Sequence, residues 1–389
     1  MILYKLLFSW CQMFRGVGAR FPRFLSCLQV RRQSSLVQGD SHGFIVYKGI
    51  PYGWGKNDFG QLGYQNSKEL ATVPKKPVGG IDQVISMAAG VMHTVCVDKE
   101  GAIWCWGGNS MGELGQDIFS SSNYMPQRLF TKSMKQVSST GMNNVALDVD
   151  GGVWVWGWNN GGKLGFAHED NILVPTQHPD LPPMNYVTSG IAHSILIDKK
   201  GNGWVFGDNK YNQLGIDSKL RTLAVQQHPE LKNLVSAVCG MGKSTVLDTE
   251  GRVFEVGSTK QELMDLRPKE AKVGAFTQVT GLPTITEISC GAFHCIARDS
   301  ANNLWSWGAG DRGQLALGDR HDHETPQQIP LQGVQQFTCG GDASLFLMED
   351  GDVFSCGKQY FNATGDTDKL SPQRIFNTSE LNYNVFTTL

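Results

Sequence analysis

The chain has 389 residues, 40% of them hydrophobic and only 18% charged, with 34 Lys and Arg against 36 Asp and Glu. This balance suits a sheet-rich globule with a substantial core and argues against nonspecific nucleic-acid binding by the body of the protein. The nine cysteines are odd in number and contain no Cys-x-x-Cys pair, which argues against a disulfide framework or a structural zinc site.

The first 39 residues differ from the rest. They hold Lys5, Arg15, Arg20, Arg23, Arg31 and Arg32, and no acidic residue precedes Asp40. On a helix Lys5, Arg15 and Arg20 fall within an arc of roughly 140°, with Ile2, Leu6 and Met13 mainly elsewhere. The pattern reads as a mitochondrial presequence over residues 1–39, with Val30 to Ser35 as the processing region. A secretory signal is the rival reading, because Met1 to Phe14 is strongly apolar, but the positive charges follow that stretch instead of preceding it. An unprocessed basic arm is the third. Without those six basic residues, 34 − 6 leaves 28 against 36, a balance of −8. No later stretch is long and apolar enough to span a bilayer.

From residue 43 onward the chain repeats. Gly55, Gly107, Gly157, Gly207, Gly257, Gly308 and Gly357 follow one another at steps of 52, 50, 50, 50, 51 and 49. Self-similarity at this spacing marks an array of supersecondary units. The fullest copies run from Trp54, Trp106, Trp156 and Phe206, with a looser one from Trp307. In these the glycines and asparagines supply a tight loop, and Leu62, Leu114, Leu164, Leu214 and Leu315 tuck it onto a core. The copy from Phe354 keeps glycines but loses the leucine, and the one from Val256 loses nearly everything after its glycine.

Two residues before each strand-ending position stands a further large side chain: Tyr52, Trp104, Trp154, Trp204, Phe254, Trp305 and Phe354. Residues i and i+2 share one face of a strand, so the aromatic columns read as sheet-to-sheet packing in preference to a ligand cage. Upstream lie turn signals at Asp98–Gly101, Asp148–Gly151, Asp198–Gly201, Asp248–Gly251 and Asp299–Asn302, each joining two strands. A strand opened by small residues precedes each turn. Pro74, Pro126, Pro175, Pro326 and Pro372 mark outer edge strands, where a missing amide is tolerated. Four short strands per fifty residues is the pattern of a propeller blade. The first repeat lacks the small-residue strand, and the apolar tail from Leu381 to Leu389 is expected to supply it and so close the ring.

With all four strand signals in view, the chain resembles the regulator of chromosome condensation (RCC1) repeat family, over about residues 43–389. The regular Gly-Gly doublet of kelch repeats and the Trp-Asp dipeptide of WD40 repeats are missing from the corresponding positions. The resemblance implies an all-β, seven-bladed propeller with four-stranded blades, taken here as one domain from residue 40 to 389 closed by the C-terminal strand.

Several residue groups invite a chemical reading. His93, His193 and His294 share one repeat position, with Asn144, Lys243 and Ala343 or its neighbour standing there in other copies. Metal ligation would need residues from alternate blades to converge across the axis, so each histidine is expected to begin a strand and bond within its own blade. Gly242-Lys243-Ser244 is the core of a phosphate-binding loop, but Ala237 stands where the full motif demands glycine. His321-Asp322-His323-Glu324 reads as a solvated loop. Cys239, Cys290 and Cys339 share the slot of Ala89, Thr140 and Ser189 and read as small core residues in a reducing compartment. No catalytic, cofactor-binding or metal site is assigned, and no cofactor is expected.

The family resemblance and the presequence together imply a non-enzymatic mitochondrial interaction protein, in the matrix or associated with the inner membrane. It is expected to be monomeric, with rim loops that meet protein or ribonucleoprotein partners in ribosome assembly or organelle gene expression. The eroded fifth repeat, Ser258 to Thr284, with its charged run from Thr259 to Val273, is the expected partner surface. Two alternatives follow from other family members: guanine-nucleotide exchange on a GTPase, and a nuclear chromatin-bound role using the basic N-terminus.

Overall fold

Four consecutive strands of each repeat pair antiparallel into one sheet, and seven such sheets make up the computed structural model. The structure describes residues 34–64, 70–75, 80–129, 132–216, 222–264, 274–358 and 368–382. The blades span 34–75, 84–129, 134–177, 184–227, 234–278, 285–328 and 334–377, numbered 1 to 7 below. The first strand of each blade packs on the first strand of the next, all the way round, so these strands surround the central axis. The fourth strands lie outermost, and Pro74, Pro126, Pro175, Pro326 and Pro372 all fall within them, on an edge where no neighbour asks for their missing amide.

The fifty-residue glycine does the same work in every blade. Its φ lies between 85 and 110° at all seven positions, a region costly to any residue with a Cβ. It also leaves no room for one: a Cβ on Gly157 would stand 2.6 Å from the Met142 carbonyl oxygen. The amide of the following residue donates to the carbonyl of the residue just before the second strand, at 2.7–3.1 Å in all seven copies. The third strand is thereby turned out of the sheet onto a rim loop. In blades 1 to 4 that loop is held by a buried asparagine: Asn57, Asn109, Asn159 and Asn209 accept the amides of Leu62, Leu114, Leu164 and Leu214 at 2.9–3.0 Å. The leucines, with Leu315 of blade 6, are fully buried, as the sequence pattern predicts.

The two aromatic columns divide their tasks. Trp54, Trp106, Trp156, Phe206 and Trp307 are fully buried between blades. The other column is half-buried apart from Tyr52, and its indoles are tied to the turn aspartates: Trp104, Trp154, Trp204 and Trp305 donate through Nε1 to Asp98, Asp148, Asp198 and Asp299 at 2.9–3.3 Å. The second carboxylate oxygen of each aspartate accepts two backbone amides of its own turn. In blade 5, where Phe254 replaces the tryptophan, the Arg252 guanidinium takes over the indole's place on Asp248, at 2.7 Å. Thus the aspartate that reads in sequence as a turn former also locks the blade's aromatic side chain.

Ring closure departs from expectation. The missing inner strand of blade 1 comes from the N-terminal side, Ser34–Gln38, pairing antiparallel with His42–Tyr47. Among the described residues every blade is therefore built from its own four consecutive strands. The propeller begins six residues earlier than the expected boundary at residue 40. The sequence reading missed this strand because Ser34-Ser35-Leu36-Val37-Gln38 lies in the segment whose charge pattern reads as targeting, although Gly39 and His42 after it repeat the glycine and histidine of the later copies. Of the C-terminal segment expected to fill this role, residues 383–389 lie outside the described residues. Leu381, in a 3-10 turn over Thr378–Asn382, is buried as a plug between blades 1 and 7, alongside Leu36, Ile45, Trp54, Leu345 and Phe376. The Leu36 amide donates to Gln336 Oε1 at 3.0 Å, and Trp54 packs edge-on against Phe376.

A chain beginning at Ser34 is expected to fold as the full chain does. One beginning at Gly39 loses the inner strand and the buried Leu36, and is expected to lose more than about 3 kcal/mol of stability, read by denaturant unfolding. Equal midpoints for the two truncations would contradict this account of closure.

Candidate interaction rim

Because the strands alternate in direction, the turn between first and second strands and the loop between third and fourth strands emerge on the same rim of every blade. This rim carries the sequence groups singled out above. The histidines do begin second strands, His42, His93, His193 and His294, and all are buried. Their partners, however, lie in the next blade and not in their own. His42 Nε2 meets Thr94, His93 meets Asn144, His193 meets Ser244 and His294 meets Ser344, at 2.8–2.9 Å. The partner in turn donates to a loop carbonyl of the blade the histidine came from: Thr94 to Gln61, Asn144 to Glu113, Ser244 to Gln213 and Ser344 to Gln314, at 2.5–2.8 Å. Two interblade tryptophans converge on the same acceptors, Trp106 Nε1 on the Gln61 carbonyl and Trp156 Nε1 on that of Glu113.

The rings of His93, His193 and His294 lie over the glycine three residues before them. A Cβ on Gly90 or Gly291 would overlap the His93 or His294 ring, which is the physical content of the recurring Gly-x-x-His pattern. The register also corrects one alignment: Asn143 pairs with Gly157 as His93 pairs with Gly107, so Asn143, not Asn144, holds the histidine position of blade 3.

Blade 5 breaks the scheme and repairs it differently. Its loop has no counterpart of Gln61, and a short helix, Lys260–Met264, stands in place of the tight asparagine loop. Among the described residues, no blade 5 loop carbonyl accepts the Trp307 indole of blade 6. Glu255 supplies the acceptor: it sits on the third strand between Phe254 and Val256, where other blades carry Val155 or Val205, and its Oε1 accepts the Trp307 indole at 2.9 Å. Thr245 donates to the same oxygen, and Lys243, in the histidine position, pairs with Oε2. Lys260 then ties the helix to Asp311 of blade 6 at 2.8 Å. The Gly-Lys-Ser triplet is explained by the repeat: Lys243 is an ion-pair partner and Ser244 a relay hydroxyl. Residues 265–273, most of the charged run expected to meet a partner, lie outside the described residues.

The His321–Glu324 group is spread over a loop and the start of an outer strand, His323–Gln328. His321 and His323 face Asp319, while Asp322 accepts the Gly310 amide. Among the described residues, no three His, Cys, Asp or Glu side chains are placed to share a metal ion. Cys239 and Cys339 are buried free thiols, as expected of core residues. Cys290 differs: it is disulfide-bonded to Cys295, directly opposite on the neighbouring strand.

Burial holds the relay histidines neutral, with pKa values pushed down to about 3 for His42 and His294 and about 4 for His193. An imidazole whose folded pKa lies below 6.5 binds fewer protons folded than unfolded. Its contribution to stability is therefore complete above that pH and is lost as pH falls from about 6.5 toward 4. Unfolding free energy is expected to drop between pH 7 and pH 5, and replacing His42, His193 and His294 with Asn, the residue blade 3 uses, is expected to flatten that slope while lowering stability at pH 7. Denaturant titrations at both pH values check it. Glu255→Ala is expected to cost about 3 kcal/mol, and Glu255→Gln less, because the amide still accepts from Trp307 but leaves Lys243 unpaired. Equal losses would contradict the acceptor role.

Two family models, both described as Regulator of chromosome condensation (RCC1) repeat, match the chain. One covers residues 48–97, 150–197 and 302–347, the other 84–113, 285–314 and 334–362. Neither touches blade 5. The chain belongs to this repeat family. Among curated proteins it is 40% identical over 76 residues to the mitochondrial RCC1 domain-containing protein RUG3 of Arabidopsis thaliana, covering 19% of this chain and 17% of that one. It is 36% identical over 90 residues to the serine/threonine-protein kinase Nek8 of Danio rerio, covering 22% and 13%. It is 33% identical over 109 residues to Protein RCC1 of Candida albicans, covering 25% and 24%. The matched region thus spans less than a quarter of each of these relatives. Among solved structures, human WBSCR16 superposes with a TM-score of 0.71 at 23% identity, over 82% of this chain and 88% of that one. Prp20p of Saccharomyces cerevisiae gives 0.71 at 21%, over 88% and 87%. These likenesses establish the seven-bladed fold.

Proposed function

We propose that this RCC1-repeat chain is a non-enzymatic interaction propeller of mitochondria that supports ribosome assembly or organelle gene expression, and that it meets its partner through the blade 5 sector of the rim. The observation that carries the choice of surface is the substitution at Glu255. In blades 1, 2, 4 and 6 a rim-loop carbonyl is part of the contact with the next blade, and the loop's sequence is constrained by that duty. In blade 5 a side chain has taken over the contact, so the loop is released from the repeat and its charged segment, Thr259 to Val273, is free to serve recognition. The mitochondrial assignment is supported by the acid-free, arginine-rich residues 1–39 and by the named location of RUG3.

Processing has to spare the inner strand of blade 1. The mature protein is therefore expected to begin between Val30 and Ser34, read by N-terminal sequencing of the endogenous chain. A start at Met1 would favour the nuclear arm reading, and a start beyond Gln38 would contradict the closure described above.

The second reading is nucleotide exchange on a GTPase. Prp20p, which has the same fold, has binding properties toward Gsp1p and histones, and a segment that departs from the repeat is what such a protein would insert. A graft separates the readings. Replacing Thr259–Val273 with the blade 4 loop restores a backbone carbonyl for Trp307, so the fold is expected to persist by thermal unfolding while co-sedimentation with mitochondrial ribosomal subunits is lost. Retained co-sedimentation would move the surface elsewhere, and accelerated nucleotide release from a mitochondrial GTPase, abolished by the graft, would favour exchange.

A further inference from the structure

At or next to the end of each first strand from blade 2 on, one residue stands directly opposite the second residue of the next strand. The pairs are Ala89 with Thr94, Ser139 with Asn144, Ser189 with Ser194, Cys239 with Ser244, Cys290 with Cys295 and Cys339 with Ser344. The repeat thus brings two side chains into contact at this level of every blade from 2 to 7, and blade 6 alone places cysteine at both. That coincidence falls beside the contact that Glu255 makes with blade 6. Cys295 Sγ lies 3.5 Å from Glu255 Oε1 and 3.5 Å from Thr245 Oγ1, and Cys290 Sγ lies 3.6 Å from the same hydroxyl. The disulfide therefore shares a surface with the carboxylate that holds blade 5 to blade 6.

We propose that Cys290 and Cys295 form a reversible thiol–disulfide couple, and that its state sets how firmly Glu255 binds blade 6 and hence the order of the blade 5 rim segment. Cys290 is half-exposed at the axial end of its strand and Cys295 is buried, so the entry point is Cys290. The thiolate of a small thiol such as glutathione attacks Cys290 Sγ, the intramolecular S–S bond breaks, and Cys295 leaves as a thiolate that takes up a proton. A second glutathione thiolate attacks the glutathione sulfur of the mixed disulfide, releasing oxidised glutathione and the Cys290 thiolate, which is protonated. The protein gains two electrons and two protons.

Reduction changes the site in two ways. Two thiols cannot approach as closely as two bonded sulfurs, so they spread toward Thr245 and Glu255. Cys295 also acquires a hydrogen-bond donor beside Oε1, in competition with the Trp307 indole. The other described cysteines do not compete for the reaction. Cys96, Cys105, Cys239, Cys339 and Cys356 are buried, and burial pushes the Cys239 and Cys339 thiols up to about 12, leaving them almost without thiolate.

The test uses the full chain in a series of reduced and oxidised glutathione buffers. Both cysteines fall on one tryptic fragment, Val273–Arg298, whose mass differs by two hydrogens between the states before alkylation and by two alkyl groups after it. The couple is expected to switch within the series, and amide exchange across 256–263 is expected to change by about tenfold between the end states. Cys290→Ser, which installs the residue found at Ser139 and Ser189, is expected to remove the redox dependence of exchange while preserving the fold. A fragment locked in one state across all buffers would overturn the reversible couple. Identical exchange in both states of a switching fragment would overturn its link to Glu255.

Discussion

The ring depends on a glycine that leaves its sheet. At the end of every third strand, a glycine with positive φ and an amide bonded back to the start of the second strand swing the chain outward onto the rim. In blades 1, 2, 4 and 6 a loop carbonyl then accepts from the neighbour's relay group, which the histidine meets from the other side, and in blades 1 and 2 from its tryptophan as well. One conformational requirement within a blade therefore produces the contact between blades. A β-carbon at this position would do more than strain a turn: it would strike the carbonyl that anchors the turn and withdraw the acceptor from the next sheet.

Much of this was legible from residues alone. The spacing of Gly55 through Gly357, the paired aromatic columns and the aspartate turns specify seven four-stranded blades, because each feature is local and recurs at one period. What sequence reading missed is relational. It placed the histidines within their blades, since nothing in His93 or Asn144 taken singly says that they lie across an interface. It read Asp98 and its equivalents as turn formers without their second duty toward the indoles. It gave ring closure to the apolar tail, because Leu36 and Val37 sit in a stretch whose charge pattern reads as a targeting signal. The Cys290–Cys295 pair escaped for a similar reason: five residues apart they form no metal or redox motif, and only the strand register sets them face to face.

Blade 5 tests which parts of the repeat are indispensable. Its glycine keeps the same backbone conformation and the same amide bond, while the loop beyond it has lost asparagine, glutamine and leucine together. The interface survives because Glu255 offers an oxygen at the acceptor's place and Lys243 balances its charge. The interface is thus specified by the position of an oxygen and not by the group that carries it, and this latitude allows one sector of the rim to diverge in sequence without opening the ring.

The seam between blades 1 and 7 consists of side chains: Leu36, Trp54, Phe376 and Leu381, with one amide bonded to Gln336. Among the described residues, no hydrogen-bonded strand ladder joins blade 1 to blade 7. During synthesis each fifty-residue unit can therefore complete its sheet as it emerges and dock on its predecessor, so that nearly all contacts form between close neighbours in sequence. The exception is a single late event, when Gln336 meets Leu36 across 300 residues. Until then the nascent protein is an open arc with one unsatisfied apolar flank at each end, and that interval is when it is most exposed to misassembly.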